Sequence, residues 1–443
     1  MSIQPRTKVR YDRNQWSAIL FARMKKLLPA LLLSIFTSGA MAQNDDAAFL
    51  AKFESTFEAP GMLQAKDFVP ETQMNGRLHQ VRPLASNDGL RNTYFVDTPD
   101  GVQEITGTSA LLDRIREIYA IDYLRGLSGT DEFRKALEKA GKAKIESAVG
   151  IISDPFGTIK NVPKGASRFF GRIGEGLKTV GRGSEGGEKG DSSIAGILGV
   201  TKAKAKLATQ LKVSPYSTNE ELQRELTKAA QASAGGGLLI NAASSFATGG
   251  AGVALTVAGV NETLTDTLAN STPEDLRIIN RKKLFELGVD RELADEFLMH
   301  PWFTPWHETI ITDALAKIGA NPTEFLTFAV KALTPEDAFY FMRLSQILAA
   351  YHTGAAPIES IHLRNRIIAA RDRNGVLVVP VSFDYAIWAE RAARRTEEFA
   401  SMDRTGNQIT GLALWTDGRI SDRLAEELKK RGIAVRTEVI TGK

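Results

Sequence analysis

The sequence predicts a mainly α protein, a helical bundle or array with a small N-terminal mixed region and a C-terminal ββαβαβ (α+β) domain. Three observations predict it. Residues 272–355 contain helix starts built on Thr or Asn followed by Pro and an acid: Thr272-Pro-Glu-Asp, Thr304-Pro-Trp-His-Glu, Asn321-Pro-Thr-Glu and Thr334-Pro-Glu-Asp. Thr or Asn accepts a hydrogen bond from the first free backbone N–H groups, and Pro has no N–H to waste at the first turn. Residues 193–271 are rich in small side chains that suit close helix packing. After residue 356 the pattern changes to short apolar runs divided by turn residues, the mark of alternating strands and helices. The implied units are 1–42, 43–128, 129–192, 193–271, 272–355 and 356–443.

Residues 1–42 read as an upstream extension plus a signal peptide. Lys25 and Lys26 precede an uncharged apolar run, Leu27 to Phe36, and Ala40-Met41-Ala42 is a small-x-small cleavage site. The expected start is Met24, with cleavage after Ala42 and export to the periplasm or beyond. The apolar run is too short for the roughly 20 residues of a membrane-spanning helix. The segment also controls the charge. It holds seven of the 56 Lys and Arg but one of the 52 Asp and Glu, so without it the formal net charge moves from +4 to about −2. A nucleic-acid partner, which needs a basic footprint, is therefore not expected. Cysteine is absent, which excludes disulfides, thiol nucleophiles and zinc–thiolate sites.

Residues 43–128 predict a hairpin, Tyr94-Phe95-Val96 and Val102 to Ile105 about the turn Asp97-Thr98-Pro99-Asp100-Gly101, then a helix carrying Leu111, Leu112, Ile115, Ile118, Tyr119 and Tyr123 on helical spacing. Residues 129–192 form a basic amphipathic segment that ends in a Gly-rich linker, Gly181 to Ser193. Lys164, Arg168, Arg172 and Lys178 flank an apolar stripe there. Such a stripe suits an anionic membrane surface, and equally a helix whose cationic stems cover apolar neighbours. Residues 229–261 lack any charge and hold seven glycines. That composition suits close-packed helices, with membrane association as the alternative.

The C-terminal unit predicts a hairpin, Ile361 to Ala370 and Val376 to Phe383 about Asn374-Gly375. A helix from Asp384 to about Met402 follows, then a strand Ile409–Trp415, a helix Arg419–Arg431 and a strand Val435–Ile440.

Catalytic motifs fail one by one. Gly187-Glu-Lys189-Gly lacks the ending a phosphate loop needs, Gly171 to Gly176 follows no strand, and no G-x-S-x-G elbow exists. His307-Glu308 begins a zinc motif, but Ile311 stands where the second histidine is required. The candidate metal set is therefore His300, His307, Glu308 and His352, which the fold would have to gather. The competing reading makes His300 and His307 the ends of a tight Pro-rich turn with Trp302 and Trp306 packed inward. No cofactor is implied.

Several segments resemble an uncharacterised family of secreted bacterial proteins: Lys204 to Leu211 with Ser214-Pro-Tyr-Ser-Thr-Asn219, His300 to Thr309, Ala349-Ala-Tyr-His352, and Phe383-Asp-Tyr-Ala-Ile-Trp388. The resemblance covers roughly residues 130–443 and implies architecture and export, with no activity attached. The resulting expectation is an exported, non-enzymatic envelope protein, periplasmic or membrane-peripheral, whose partner is an anionic membrane surface or another envelope protein. The alternatives are a metal-assisted hydrolase using the His/Glu set, and a secreted membrane-active effector.

Overall fold

The structure, a computed structural model, describes Phe53 and residues 56–140, 191–234, 262–402 and 409–440. The signal segment, the stripe Lys164, Arg168, Arg172 and Lys178, and residues 235–261 of the uncharged stretch lie outside the described residues. The chain is mainly helical, with an N-terminal mixed β region and a C-terminal mixed α/β region.

The first region is built from β1 (Met62–Gln64), α1 (Glu71–Met74), β2 (Asn75–Gly76), β3 (His79–Val81), β4 (Leu84–Asn87), β5 (Asn92–Thr98) and β6 (Gly101–Thr106). The predicted hairpin is β5–β6, with Thr98 opposite Gly101. On its other edge β5 pairs with both β3 and β4, making a six-stranded sheet. The long helix α2 (Thr108–Ser128) serves two cores. Leu111, Ile115 and Tyr119 pack on this sheet. Ala120, Ile121 and Leu124 pack against α3 (Asp131–Ala140), α4 (Asp191–Gln210) and α5 (Glu220–Ala234).

The bundle follows: α6 (Glu262–Asn270), α7 (Pro273–Glu286), α8 (Arg291–Leu298), α9 (Pro305–Ile318), α10 (Thr323–Ala329) and α11 (Pro335–Gly354). Thr272, Thr304 and Thr334 each close a full capping box, paired with Asp275, His307 and Asp337 at the third helical position. Each such cap contributes about 1 kcal/mol. Asn321 instead accepts from the Thr323 N–H at 2.9 Å, an Asx turn ahead of α10. The unpredicted helix α8 is started by Asp290, which accepts from the Leu293 N–H.

The C-terminal unit contains β7 (Ile358–Arg364), β8 (Ile367–Asp372), β9 (Val376–Val381), β10 (Tyr385–Ala386), α12 (Glu390–Ala400), β11 (Gly411–Thr416), β12 (Arg419–Ile420), α13 (Asp422–Lys430) and β13 (Ile433–Arg436). The predicted single strand 361–370 is folded back on itself. Asn365 and Arg366 both take left-handed φ values, 48° and 62°, so a tight turn adds a strand to the expected order. The main sheet runs β13-β11-β9-β8-β7. Strands β9, β11 and β13 are parallel, and β7, β8 and β9 are antiparallel. The expected helix from Asp384 starts later, at Glu390. The intervening backbone is extended, because Asp384, Tyr385 and Ile387 donate their N–H groups to Leu90 and Gly89.

One face of this sheet is the floor of the bundle core, where Ile361, Ile368, Val378 and Trp415 meet Phe341, Ile347 and Tyr351. The other face is covered by α12 and α13 through Leu377, Val379, Leu412, Phe399 and Leu428. The sheet is thus a middle layer between two layers of helices.

Candidate binding crevice

In an open sheet with parallel strands, side chains beyond the carboxyl ends of those strands face a crevice where ligands bind. Here that edge carries Ser382 after β9 and Asp417 after β11. Asp417 accepts from the Arg343 Nε at 2.8 Å and from the Ser382 hydroxyl at 2.8 Å. Arg343, on α11, is 9 % exposed and also donates to Gln346. The two strand exits approach so closely that a methyl group on Gly418 would sit 1.9 Å from the Phe383 carbonyl oxygen. Only glycine fits there, and its small size places Asp417 beside Ser382.

The N-terminal region meets this edge through hydrogen bonds to Asp384. Asp384 accepts from the Asn92 N–H at 2.9 Å and from the Thr108 N–H at 2.7 Å. It therefore supplies from the C-terminal unit the N-terminal cap that Gly107 cannot give α2. One turn further along α2, Asp113 pairs with Arg116 at 2.8 Å. The Asp113 side chain is 51 % exposed, yet desolvation raises its pKa against the pull of Arg116 and Arg343. Desolvation likewise raises Asp384 and the Tyr340 phenol, and Tyr340 lies within electrostatic reach of Asp417, Arg395 and Arg91.

Most of these polar groups hold one another. Asp417 and Asp384 are engaged, Arg343 is bonded through Nε and one terminal nitrogen, and Arg116 also donates to the Lys212 carbonyl. Two of the described donor side chains have no partner at all. Among the described residues the Arg91 guanidinium and the Tyr340 hydroxyl have no hydrogen-bond or ion-pair partner. Both are half-buried.

The predicted metal set is placed differently. The His300 ring accepts from the Trp302 N–H at 3.4 Å and packs edge-on against Phe303. His307 accepts from the Thr304 N–H as part of its capping box, and burial pushes its pKa down to about 4. His352 accepts from the Ile358 N–H at 3.1 Å, fastening the end of α11 to β7. Glu308 is fully buried at the α7–α9 contact, 3.4 Å from the Arg277 Nε. Each histidine serves a local backbone turn. Among the described residues no group of three His, Cys, Asp or Glu is arranged to hold a metal. The hydrolase alternative thereby loses its support, and the Pro-rich-turn reading of His300 to His307 matches the geometry.

Glu308 nevertheless marks an unusual place. Neither carboxyl oxygen has a hydrogen bond, and Arg277 Nε, Asn280 Oδ1 and Thr312 Oγ1 beside it on the same two helices are also buried without partners. Burial raises the Glu308 pKa to about 8 in spite of Arg277. The Tyr216 phenol lies within electrostatic reach of Glu308 and Arg277. Its loop is held from the other side by Glu117 of α2, which accepts from the Ser217 hydroxyl and from Asn219. The distinctive segments Ser214–Asn219 and His300–Thr309 therefore meet at one hub. Phe383–Trp388 is the seam that carries Asp384 and the fully buried Trp388, whose indole N–H donates to Thr56.

Fold and site together define a mainly helical protein with a polar cluster where its N-terminal region, its bundle and its α/β unit meet. No protein-family model, curated protein or solved structure matches the chain.

Proposed function

We propose that this chain is an exported envelope protein, periplasmic or membrane-peripheral, that works by binding rather than by catalysis, with the carboxyl-edge crevice as its binding site. The observation that carries the reading is the pair of unpartnered donors, Arg91 and Tyr340, in a crevice whose carboxylates are already engaged. Donors left over in a half-buried site favour an anionic group, a carboxylate or phosphate on a small molecule. The crevice offers little to acid–base or nucleophilic chemistry. Ser382 donates to Asp417, and all five histidines are built into other parts of the fold.

Thermal unfolding in the presence of acetate, succinate, citrate or inorganic phosphate tests this. At least one should raise the melting temperature saturably in the native chain, and Arg91→Ala and Tyr340→Phe should each weaken that effect about tenfold or more. No shift with any of the four, or equal shifts in the variants, would overturn the reading. Export has its own test. Mass spectrometry of the secreted chain should find Gln43, or its cyclised form, at the N-terminus, and a retained Met1 or Met24 would contradict it.

A further inference from the structure

A second concavity lies on the α12 side of the main sheet, away from the strand exits. It is a groove of about 310 Å³ between the β7–β8 hairpin and the end of α12. Its floor is apolar: Leu377, which is buried, with Met402 and Ile409. Its rim carries His362, Arg364 and Arg371. We propose that this groove is a separate binding site for a small amphipathic anion, a carboxylate or phosphate joined to a short apolar body.

The charge balance of the lining argues for an anion. Arg371 uses one guanidinium nitrogen on Glu359 at 2.7 Å, which leaves N–H groups to spare in a five-donor fork. His362 is fixed in place, with Nε2 2.8 Å from the Ser360 hydroxyl and Nδ1 3.4 Å from Glu324. Arg364 is exposed and, among the described residues, has neither an acid nor a hydrogen-bond acceptor. Among the described residues the one acid in the lining, Glu398, is already paired with Arg395. Among the described residues the groove therefore presents an uncompensated guanidinium, Arg364, with a second guanidinium, Arg371, in its lining.

The floor argues for an apolar body on the ligand. Helices α12 and α13 pack over this face of the sheet, and the buried Leu377 also lines the groove. The volume sits at the lower end of small-molecule sites, which begin near roughly 300 Å³. The left-handed pair Asn365 and Arg366 adds a structural reason for the position of Arg364. Non-glycine residues pay a strain cost there, and the turn they form fixes the strand end that bears Arg364 over the groove.

Isothermal titration with hexanoate tests the proposal, using hexanol as the uncharged counterpart and acetate and inorganic phosphate as anions without an apolar body. Titrated in the Arg91→Ala/Tyr340→Phe chain, which removes the donors of the other site, the protein should bind one hexanoate and bind the other three at least about tenfold more weakly. Arg364→Ala, at an exposed position that leaves the fold intact, should lower hexanoate affinity about tenfold. Arg91→Ala should leave it unchanged, which separates this groove from the crevice. No hexanoate binding, equal binding of hexanol or of phosphate in the Arg91→Ala/Tyr340→Phe chain, or unchanged affinity in Arg364→Ala would each overturn it.

Discussion

Replacing Glu308 with Gln should remove a stability loss that the native protein suffers as the pH rises. The Glu308 carboxyl is completely buried and titrates near 8 in the fold, against about 4.3 in an unfolded chain. Below the unfolded value both states carry the proton, and the group's contribution is fully present. Between that value and about 8 the folded state holds a proton that the unfolded state has released. Stability therefore falls by about 1.4 kcal/mol per pH unit across this window. Above pH 8 the carboxylate is ionised in the fold as well, and the loss levels off. The full swing is several kcal/mol, a large part of an ordinary domain's stability. Urea unfolding of native chain and Glu308→Gln at pH 4, 6, 8 and 9 is the check. The two should be similar at the acid end, with the variant several kcal/mol more stable at the alkaline end. Parallel pH profiles would remove Glu308 as the cause. Gln keeps the size of the side chain, so the α7–α9 packing is retained.

The second large effect belongs to the Arg343–Asp417 pair. Both side chains are nearly buried, at 10 % and 8 % exposure, and their 2.8 Å contact ties α11 to the exit of β11. Removing one member of a buried pair leaves the other desolvated and uncompensated, which costs about 3–5 kcal/mol. Arg343→Met should show that loss in chemical unfolding. The double variant Arg343→Met/Asp417→Asn should recover much of it, because replacing both charges removes the stranded one. A double variant as unstable as the sum of the two single changes would mean that the pair itself is unimportant. The same pair positions Ser382 and shapes the crevice wall, so Arg343→Met should also weaken anion binding while Arg91→Ala leaves stability nearly unchanged.

Much of the helical part was legible because its signals are local. Thr272, Thr304 and Thr334 announce helices through a hydrogen bond that spans three residues, and each forms as expected. Helix α8 was not recognised because Asp290 lacks the following proline that marked the others. The N-terminal sheet was legible only at its hairpin, since β1 to β4 are two to four residues long and too short to show alternation. The turn at Asn365 and Arg366 was hidden because arginine rarely takes a left-handed φ, so 361–370 reads as one strand.

The crevice was illegible for a different reason. Arg91, Asp113, Tyr340, Arg343, Ser382 and Asp417 come from three regions of the chain, and none belongs to a motif. The signal that could have found them is positional. Ser382 and Asp417 directly follow two apolar runs that a βαβ unit makes parallel, and polar residues at such exits face the ligand edge. The conspicuous segment His300 to Thr309 instead encodes a turn and a capping box. Its chemistry-bearing residue types, His and Glu, are there to satisfy backbone N–H groups and to form the buried α7–α9 contact.

The most direct test is isothermal titration of the native chain with the most stabilising of the four anions, beside the double variant Arg91→Ala/Tyr340→Phe. Binding should be saturable at one site and lost in the double variant, with that variant's unfolding curve essentially unchanged. Equal binding by native chain and double variant would contradict that.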